Sequence, residues 1–382
     1  AMQLIYLYFV MSEHLDAMQC RSLSVIDQTL WPYYREDLAA GRTTEAEFRE
    51  QFLHFLWQWG SIDNYWAQPV TLGGTGADGR TACNPLTRIM LEVADAYGQP
   101  SPKFHLKVNF NMPDEVLDLA LDMARRHRPL SFLGEAPVRR VLEGMGYTPD
   151  EARRFCTTGC YEFCVPGNGN GHGGGHVNLL KQVELMLADA KDGRIDLGTF
   201  EAFKAEYLRR AEGVLDEVLK IYWEYDRHLD DVNPSNLGSL AGEYSVRTGK
   251  NVIADGTPKG NGTGICVSGF GTTVDALMAV REIVYERREM SLAELGRLMA
   301  DDWKGHDDLR LRMLRSKRKW GNNDSEANAI GREMSKRLSV RVNGKVNPLG
   351  GGCALSGHNA LTFVWEGQLT GATPDGRKAG EE

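Results

Sequence analysis

Between residues 156 and 176 the chain reads Cys156-Thr-Thr-Gly159-Cys160-Tyr161-Glu162-Phe-Cys164-Val-Pro-Gly, then a glycine-rich run ending at His176. Glycines at 159, 167, 169, 171 and 173 to 175 permit tight turns and close backbone approach, and they make a regular helix costly here. Thr148-Pro-Asp-Glu151 combines a capping box with proline at the first helical position, so a helix is predicted just before this stretch. The apolar spacing of Leu179, Leu180, Val183 and Leu187 predicts another over 177–191. Whatever the fold, it must carry an irregular, thiol-rich loop between two helices. In extended backbone, residues two apart face the same side, so Cys160 and Glu162 can point into one cavity. A thiol and a carboxylate so placed on a glycine-bounded loop suit hydrogen-atom or proton chemistry.

The chain has 382 residues, enough to bury a large core, with 42% hydrophobic and 25% charged residues, as in ordinary globular domains. A formal charge of -8 leaves no basic footprint for nucleic acid. No apolar run approaches the roughly 20 residues of a membrane span. Seven cysteines, an odd number thinly scattered, read as reduced thiols and point to a cytoplasmic protein. The chain enters an apolar pattern at once and closes on Thr373-Pro-Asp-Gly-Arg-Lys-Ala-Gly-Glu-Glu382, which reads as a portion of a longer protein.

Residues 2–40 read as a buried helix followed by a loop, with Asp27, Gln28 and the Trp31-Pro-Tyr-Tyr34 cluster after it. Thr44 with Glu47 forms a capping box, and Phe48, Phe52, Phe55, Leu56 and Trp59 then fall on one helical face. Val70 to Gly74 is a strand, followed by a glycine turn through Arg80, and Asn84 to Ala96 is a helix with Pro85 in its first turn. Lys103 to Asn109 alternates, placing Phe104, Leu106 and Val108 on one strand face. Pro113 starts a helix with Val116, Leu119, Ala120 and Met123 in a stripe. A long amphipathic helix spans 200–225, and 233–271 is glycine- and serine-rich with short β-like pieces. Helices follow over 272–288, 292–302 and from the 320–324 turn to Arg337. The basic stretch from Leu309 to Lys319 reads as a solvated helix face. The class is α/β, and no linker divides the chain, so 1–382 reads as one domain.

The residues leave several readings of the cysteine loop open. Its thiols could merely pack, as free cysteine often does. Cys156, Cys160 and Cys164, with His172 and His176 after them, could bind a metal or cluster, although such motifs generally use two-residue gaps. A hydrolytic thiol would need an oriented histidine base, which His172 or His176 supplies only in part. In the radical reading, the thiol gives and takes a hydrogen atom while Glu162 moves a proton.

Gly159-Cys160-Tyr161-Glu162, with Val177-Asn-Leu-Leu-Lys181 after it, resembles the thiyl-cysteine loop of the glycyl radical enzymes, the pyruvate formate-lyase-like family. Leu72-Gly-Gly-Thr-Gly-Ala-Asp-Gly-Arg80 resembles the family's Gly-Gly turn, and Asp27-Gln28 with the Pro-Tyr-Tyr after it an N-terminal segment. Gly321-Asn-Asn-Asp324 and Ala372-Thr-Pro-Asp-Gly-Arg377-Lys-Ala-Gly380 resemble two later segments, all in family order. The resemblance implies a ten-stranded α/β barrel of two antiparallel five-stranded halves wrapped by helices, incomplete at both ends here. It implies a glycyl radical installed by a radical S-adenosylmethionine activase, a small-molecule substrate and a homodimer, with no metal or organic cofactor bound by this chain. The radical glycine of the family lies well after the Thr-Pro-Asp-Gly-Arg motif. Gly344 in Ser339-Val-Arg-Val-Asn-Gly344 imitates its signature but comes too early, so the glycine is expected outside this chain.

By the same resemblance Cys160 and Glu162 are catalytic, and His176 and Tyr161 are candidate substrate-lining residues. Cys156 and Cys164 read as packing residues and Asp27 as structural. Pyruvate formate-lyase resembles a version with adjacent thiols and no glutamate, whereas Cys-x-Glu resembles the eliminating members. The implied activity is a radical lyase of dehydratase type. A decarboxylase or C-acetyltransferase of the same family, an inactive relic, and an ordinary thiol hydrolase are the alternatives.

Overall fold

The computed structural model describes every residue except 18–21, 63–67, 160–161, 170 and 358–361, and gives only the backbone of 171–174. The chain divides into two compact units. The first comprises Ala1–Gly171, Arg227–Gly262 and Leu349–Gly351, and the second His172–Asp226, Thr263–Pro348 and Gly352–Glu382.

The first unit begins with helices α1 (Met2–Asp16), α2 (Ile26–Ala39) and α3 (Glu45–Gly60). Both halves of the Thr44/Glu47 capping box form, and all five apolar residues predicted on the α3 face are buried. The predicted buried helix at the start is only partly buried. Leu4 and Leu15 are 72% and 68% accessible, and Phe9, against the Trp59 ring at 4.2 Å between centroids, is the apolar side chain α1 buries. The Trp31-Pro-Tyr-Tyr34 cluster lies inside α2 rather than in a loop.

Strand β1 (Val70–Gly73), helix α4 (Pro85–Tyr97), β2 (Phe104–Val108), α5 (Asp114–Arg125) and β3 (Leu130–Gly134) follow. The three strands pair in parallel in sequence order, with Leu72 opposite Leu106 and Leu106 opposite Phe132. Parallel neighbours need a crossover, which α4 and α5 supply. As the central strand, β2 is buried on both faces, so His105 and Lys107 are enclosed as fully as Phe104 and Leu106. The alternation in the sequence had marked only one face for the core.

Helices α6 (Glu135–Gly144) and α7 (Pro149–Arg153) lead into the antiparallel pair β4 (Cys156–Thr158) and β5 (Glu162–Cys164). The predicted capping box at Thr148 and Glu151 forms at α7. Later in the chain, α10 (Asn236–Ala241) and α11 (Glu243–Thr248) take the place of expected β-like pieces.

The glycine-rich run opens with the expected tight turn, Gly167 at φ 77° between the bridged Val165 and Gly169, and then becomes a strand, β6 (Gly171–Asn178). It joins β7 (Gly262–Ser268) and β8 (Ala354–Ser356) in that order, β7 and β8 being parallel. Among the described residues the α/β class is thus expressed as eight strands in sheets of three, two and three. Helix α8 (Leu179–Lys191) starts at the cap Asn178, two residues later than the apolar pattern predicts. The long helix α9 (Phe200–Val232), then α12 (Phe270–Val280) with a π turn over 281–286, α13 (Leu292–Ala300), α14 (Asp307–Leu314), α15 (Ser325–Val342) and α16 (Thr362–Gln368) complete the chain.

The core of the second unit is apolar, built from Leu187, Leu215, Ile265, Leu277, Leu295 and Ile330 among others. α13 crosses α8 so closely that a β-carbon at Gly296 would strike the Leu187 carbonyl. The basic stretch around α14 is solvent-facing at Arg315 and Lys317, as read, and carries ion pairs besides. Arg312 meets Glu289 at 2.7 Å, and Arg318 bridges Glu286 and Glu326. No helix among the described residues is long and apolar enough to cross a membrane.

Candidate active site

Asp27, in the first turn of α2, is fully buried. Its carboxylate accepts from the Gly73 amide at 3.0 Å, the Thr87 hydroxyl at 2.5 Å and the Gln28 amide at 2.9 Å. Gln28 Nε2 donates to the Gly73 carbonyl at 2.6 Å. Two adjacent residues thus clamp the end of β1 from both sides, the structural role read for Asp27. Burial pushes the Asp27 carboxyl up despite these hydrogen bonds.

The clamp holds open a passage for Lys107. Gly74 has φ 100°, and a β-carbon there would lie 2.9 Å from Lys107 Cε. Only glycine permits both that backbone and that approach. Lys107 Nζ donates to the carbonyls of Arg153 at 2.7 Å and Phe155 at 3.1 Å, and it lies 4.1 Å from the centre of the Phe155 ring. Burial lowers its pKa to about 8, with Glu135, 3.9 Å away, opposing that fall. Glu135 in turn accepts from the Thr75 amide at 3.1 Å and its hydroxyl at 2.6 Å. The buried ammonium therefore fixes the backbone that enters β4.

A second anchor grips β4 itself. His105 Nδ1 shares a 2.5 Å hydrogen bond with the Thr157 hydroxyl, which is 3.2 Å from that of Thr71. Burial, with a smaller contribution from Lys103, depresses the imidazole to about 4, so the ring is neutral at physiological pH. Neither His105 nor Lys107 was singled out from the sequence. They fall on the strand face opposite Phe104, Leu106 and Val108, and in a central parallel strand that face too is buried, so they become anchors of the thiol segment. The signal for this, a short strand between two crossover helices, was present in the sequence.

Beyond these anchors, Cys156 faces Cys164 across the β4–β5 pair with 3.4 Å between sulfurs, and Ser22 Oγ donates to Cys156 at 3.3 Å. Both sulfurs are buried, as expected for packing residues. Contact with Cys164 holds the Cys156 thiol below its ordinary value, against burial. Glu162 opens β5 opposite Thr158 and is half-buried. Cys160 and Tyr161 lie outside the described residues. Ladder pairing is described for 156–158 with 162–164. His176 lies on β6 in the second unit with an exposed side chain, between strand glycines and the buried Val177.

The later motifs are structural hubs of the second unit. Arg377 is buried and donates to the carbonyls of Gly367 and Gly371, both at 2.7 Å, and also to those of Thr370 and Glu381. Its own carbonyl accepts from Trp303 Nε1 at 3.1 Å. Asp324 caps α15, and Asp275 accepts from the Trp320 amide at 2.7 Å. Gly344 is an exposed glycine with φ 81° in the turn after α15, and its α-carbon faces open space.

A family model described as pyruvate formate lyase-like matches residues 1–362. The chain belongs to this family of glycyl radical enzymes. It is 26% identical over 392 residues to isethionate sulfite-lyase of Desulfovibrio desulfuricans, covering 93% of this chain and 46% of that protein. It is 25% identical over 385 residues to (2S)-3-sulfopropanediol dehydratase of Klebsiella oxytoca, covering 92% and 46%. Hydroxyproline dehydratase from Clostridioides difficile, solved with trans-4-hydroxy-L-proline bound, superposes with a TM-score of 0.87 over 94% of this chain and 49% of that one, at 20% identity. That likeness establishes the glycyl radical enzyme fold. The chain spans about half the length of the curated relatives it matches.

Proposed function

We propose that this chain carries the thiol–carboxylate part of a radical lyase of dehydratase type. The observation carrying this reading is the placement of Glu162. It sits half-buried at the start of β5, two residues after Cys160, in a segment whose entry is fixed by Lys107 and His105. The glycyl radical, installed by a radical S-adenosylmethionine activase, would supply the unpaired electron, which is regenerated in each cycle. Cys160 would first give its S–H hydrogen to that radical; the resulting thiyl takes a hydrogen atom from a substrate carbon, and the re-formed thiol returns one after elimination. A thiol suits this because its S–H bond is weak enough for reversible exchange. Glu162 accepts a proton from a substrate hydroxyl, so the group on the neighbouring carbon departs. The names of the relatives, a sulfite-lyase and a sulfopropanediol dehydratase, support elimination from a small polar substrate.

Gly344 precedes the Thr373-Pro-Asp-Gly-Arg377 motif, whereas the radical glycine of the family follows that motif. Its position supports a radical glycine elsewhere. The family match runs across the boundary between the units, which supports reading 1–382 as a single catalytic domain. A homodimer and a line of contact from His176 or Tyr161 to substrate belong to the same proposal. Activation of the full-length enzyme followed by electron paramagnetic resonance tests it. Cys160→Ser should keep the glycyl doublet and lose turnover. Glu162→Gln should keep the doublet and lose elimination; full activity in that variant refutes the proton-transfer role.

A further inference from the structure

The β4–β5 pair sets Cys156 and Cys164 directly opposite each other in antiparallel register. Such opposed residues hold their α-carbons about 4.5–5.5 Å apart. A disulfide spans about 4.4–6.8 Å between α-carbons. The two sulfurs already touch at 3.4 Å, are 1% and 7% exposed as residues, and pack with Val25 in a small cluster of their own. Ser22 Oγ, donating at 3.3 Å, steadies charge on Cys156 Sγ. The radical chemistry proposed above uses neither sulfur, and packing alone does not require two thiols in mutual contact.

We propose that Cys156 and Cys164 form a reversible dithiol–disulfide site that brackets Cys160 and takes small-molecule disulfides as its oxidant. The Cys156 thiolate attacks one sulfur of the small disulfide, forming a mixed disulfide and releasing one thiolate. The Cys164 thiolate then attacks Cys156 Sγ, closes the protein disulfide and expels the second thiolate. The two protein thiols are oxidised by two electrons, the small disulfide is reduced to two thiols, and the protein's two protons end on those thiols. Because both sulfurs are buried, attack waits on local opening of the strand pair. Once closed, the bond ties β4 to β5 covalently on either side of Cys160 and restricts that opening. The site stands independently of the radical reading.

The test incubates the full chain in mixtures of oxidised and reduced glutathione. Thiols are then trapped by acid and alkylation, and the cysteines mapped by mass spectrometry. The expected product has lost two hydrogens as an internal Cys156–Cys164 disulfide, carries no glutathione and reverts with dithiothreitol. It should form equally in Cys160→Ser, and amide exchange across 157–163 should slow by about tenfold, or ~1.4 kcal/mol of opening free energy. Neither Cys156→Ser nor Cys164→Ser should give an internal disulfide. A stable glutathione adduct without ring closure, alkylation of both cysteines under every mixture, or a bond to Cys160 would overturn the proposal. The wild-type and Cys160→Ser measurements decide the matter even if the other variants fold poorly.

Discussion

β2 of the first unit and the Asp275–Arg377 region of the second bury charge in opposite ways. β2 encloses two bases, His105 and Lys107, and depresses both. The second unit encloses two carboxyls, Asp275 and Asp375, and raises both, Asp275 to about 6. In each case burial is the leading cause, and it penalises whichever form is charged. Each unit also uses one buried cation to gather backbone carbonyls, Lys107 in the first and Arg377 in the second. Burial lowers Arg377 too, but a guanidinium stays protonated where an ammonium near 8 can titrate. The thiol-bearing unit is therefore held by groups that respond to pH, and the other unit's carbonyl cluster by one that does not.

Region-resolved hydrogen exchange, following each unit separately, can break or sharpen this contrast. Arg377→Met should have the largest effect. It strands several carbonyls and should cost the second unit about 4 kcal/mol, leaving the β1–β2–β3 sheet little changed. Lys107→Met should cost the first unit about 3 kcal/mol, because two carbonyls lose their donor and Glu135 loses its cation. Loosening confined to β4 and β5 would support anchoring; a uniform loss across the unit would not.

The pH effects are smaller and opposite in sign. An unfolded imidazole binds its proton near the ordinary 6.5, whereas folded His105 resists protonation until about 4. Folding stability of the first unit should therefore fall by about 2–3 kcal/mol as pH drops from 6.5 to 4. His105→Gln should flatten that slope. The Asp27 carboxyl, raised by burial, pulls the other way, so the difference between variant and wild type is the quantity to measure. Asp275 holds its proton up to about 6, against an ordinary 3.8. It should therefore cost the second unit about 1–2 kcal/mol as pH rises from 3.8 to 6. Asp275→Asn, which keeps an acceptor for the Trp320 amide, should remove this trend. The same sign of slope in both units would defeat the comparison.

The contrast also marks what could be read in advance. The capping boxes at Thr44 and Thr148 and the apolar face of α3 were legible, because each is set by residues within a turn or two of helix. The family motifs were legible too, and the Asp27-Gln28 and Gly73-Gly74 motifs proved to be two parts of one clamp. The burial of Lys107, the ion pairing of the basic stretch and the strand character of the glycine run were not. Each depends on a partner distant in sequence: Arg153 and Phe155 for Lys107, Glu286 for Arg318, β7 for β6.

The sequence by itself determined the family, the helix starts and the thiol–carboxylate spacing, because these are written in residue identities and short periods. Only the tertiary structure decided that β2 is central, that Cys156 meets Cys164 across a strand pair, and that Arg377 gathers a set of carbonyls. Strand order and burial are settled by long-range pairing, in which a lysine's surroundings count for more than its place in an alternating pattern.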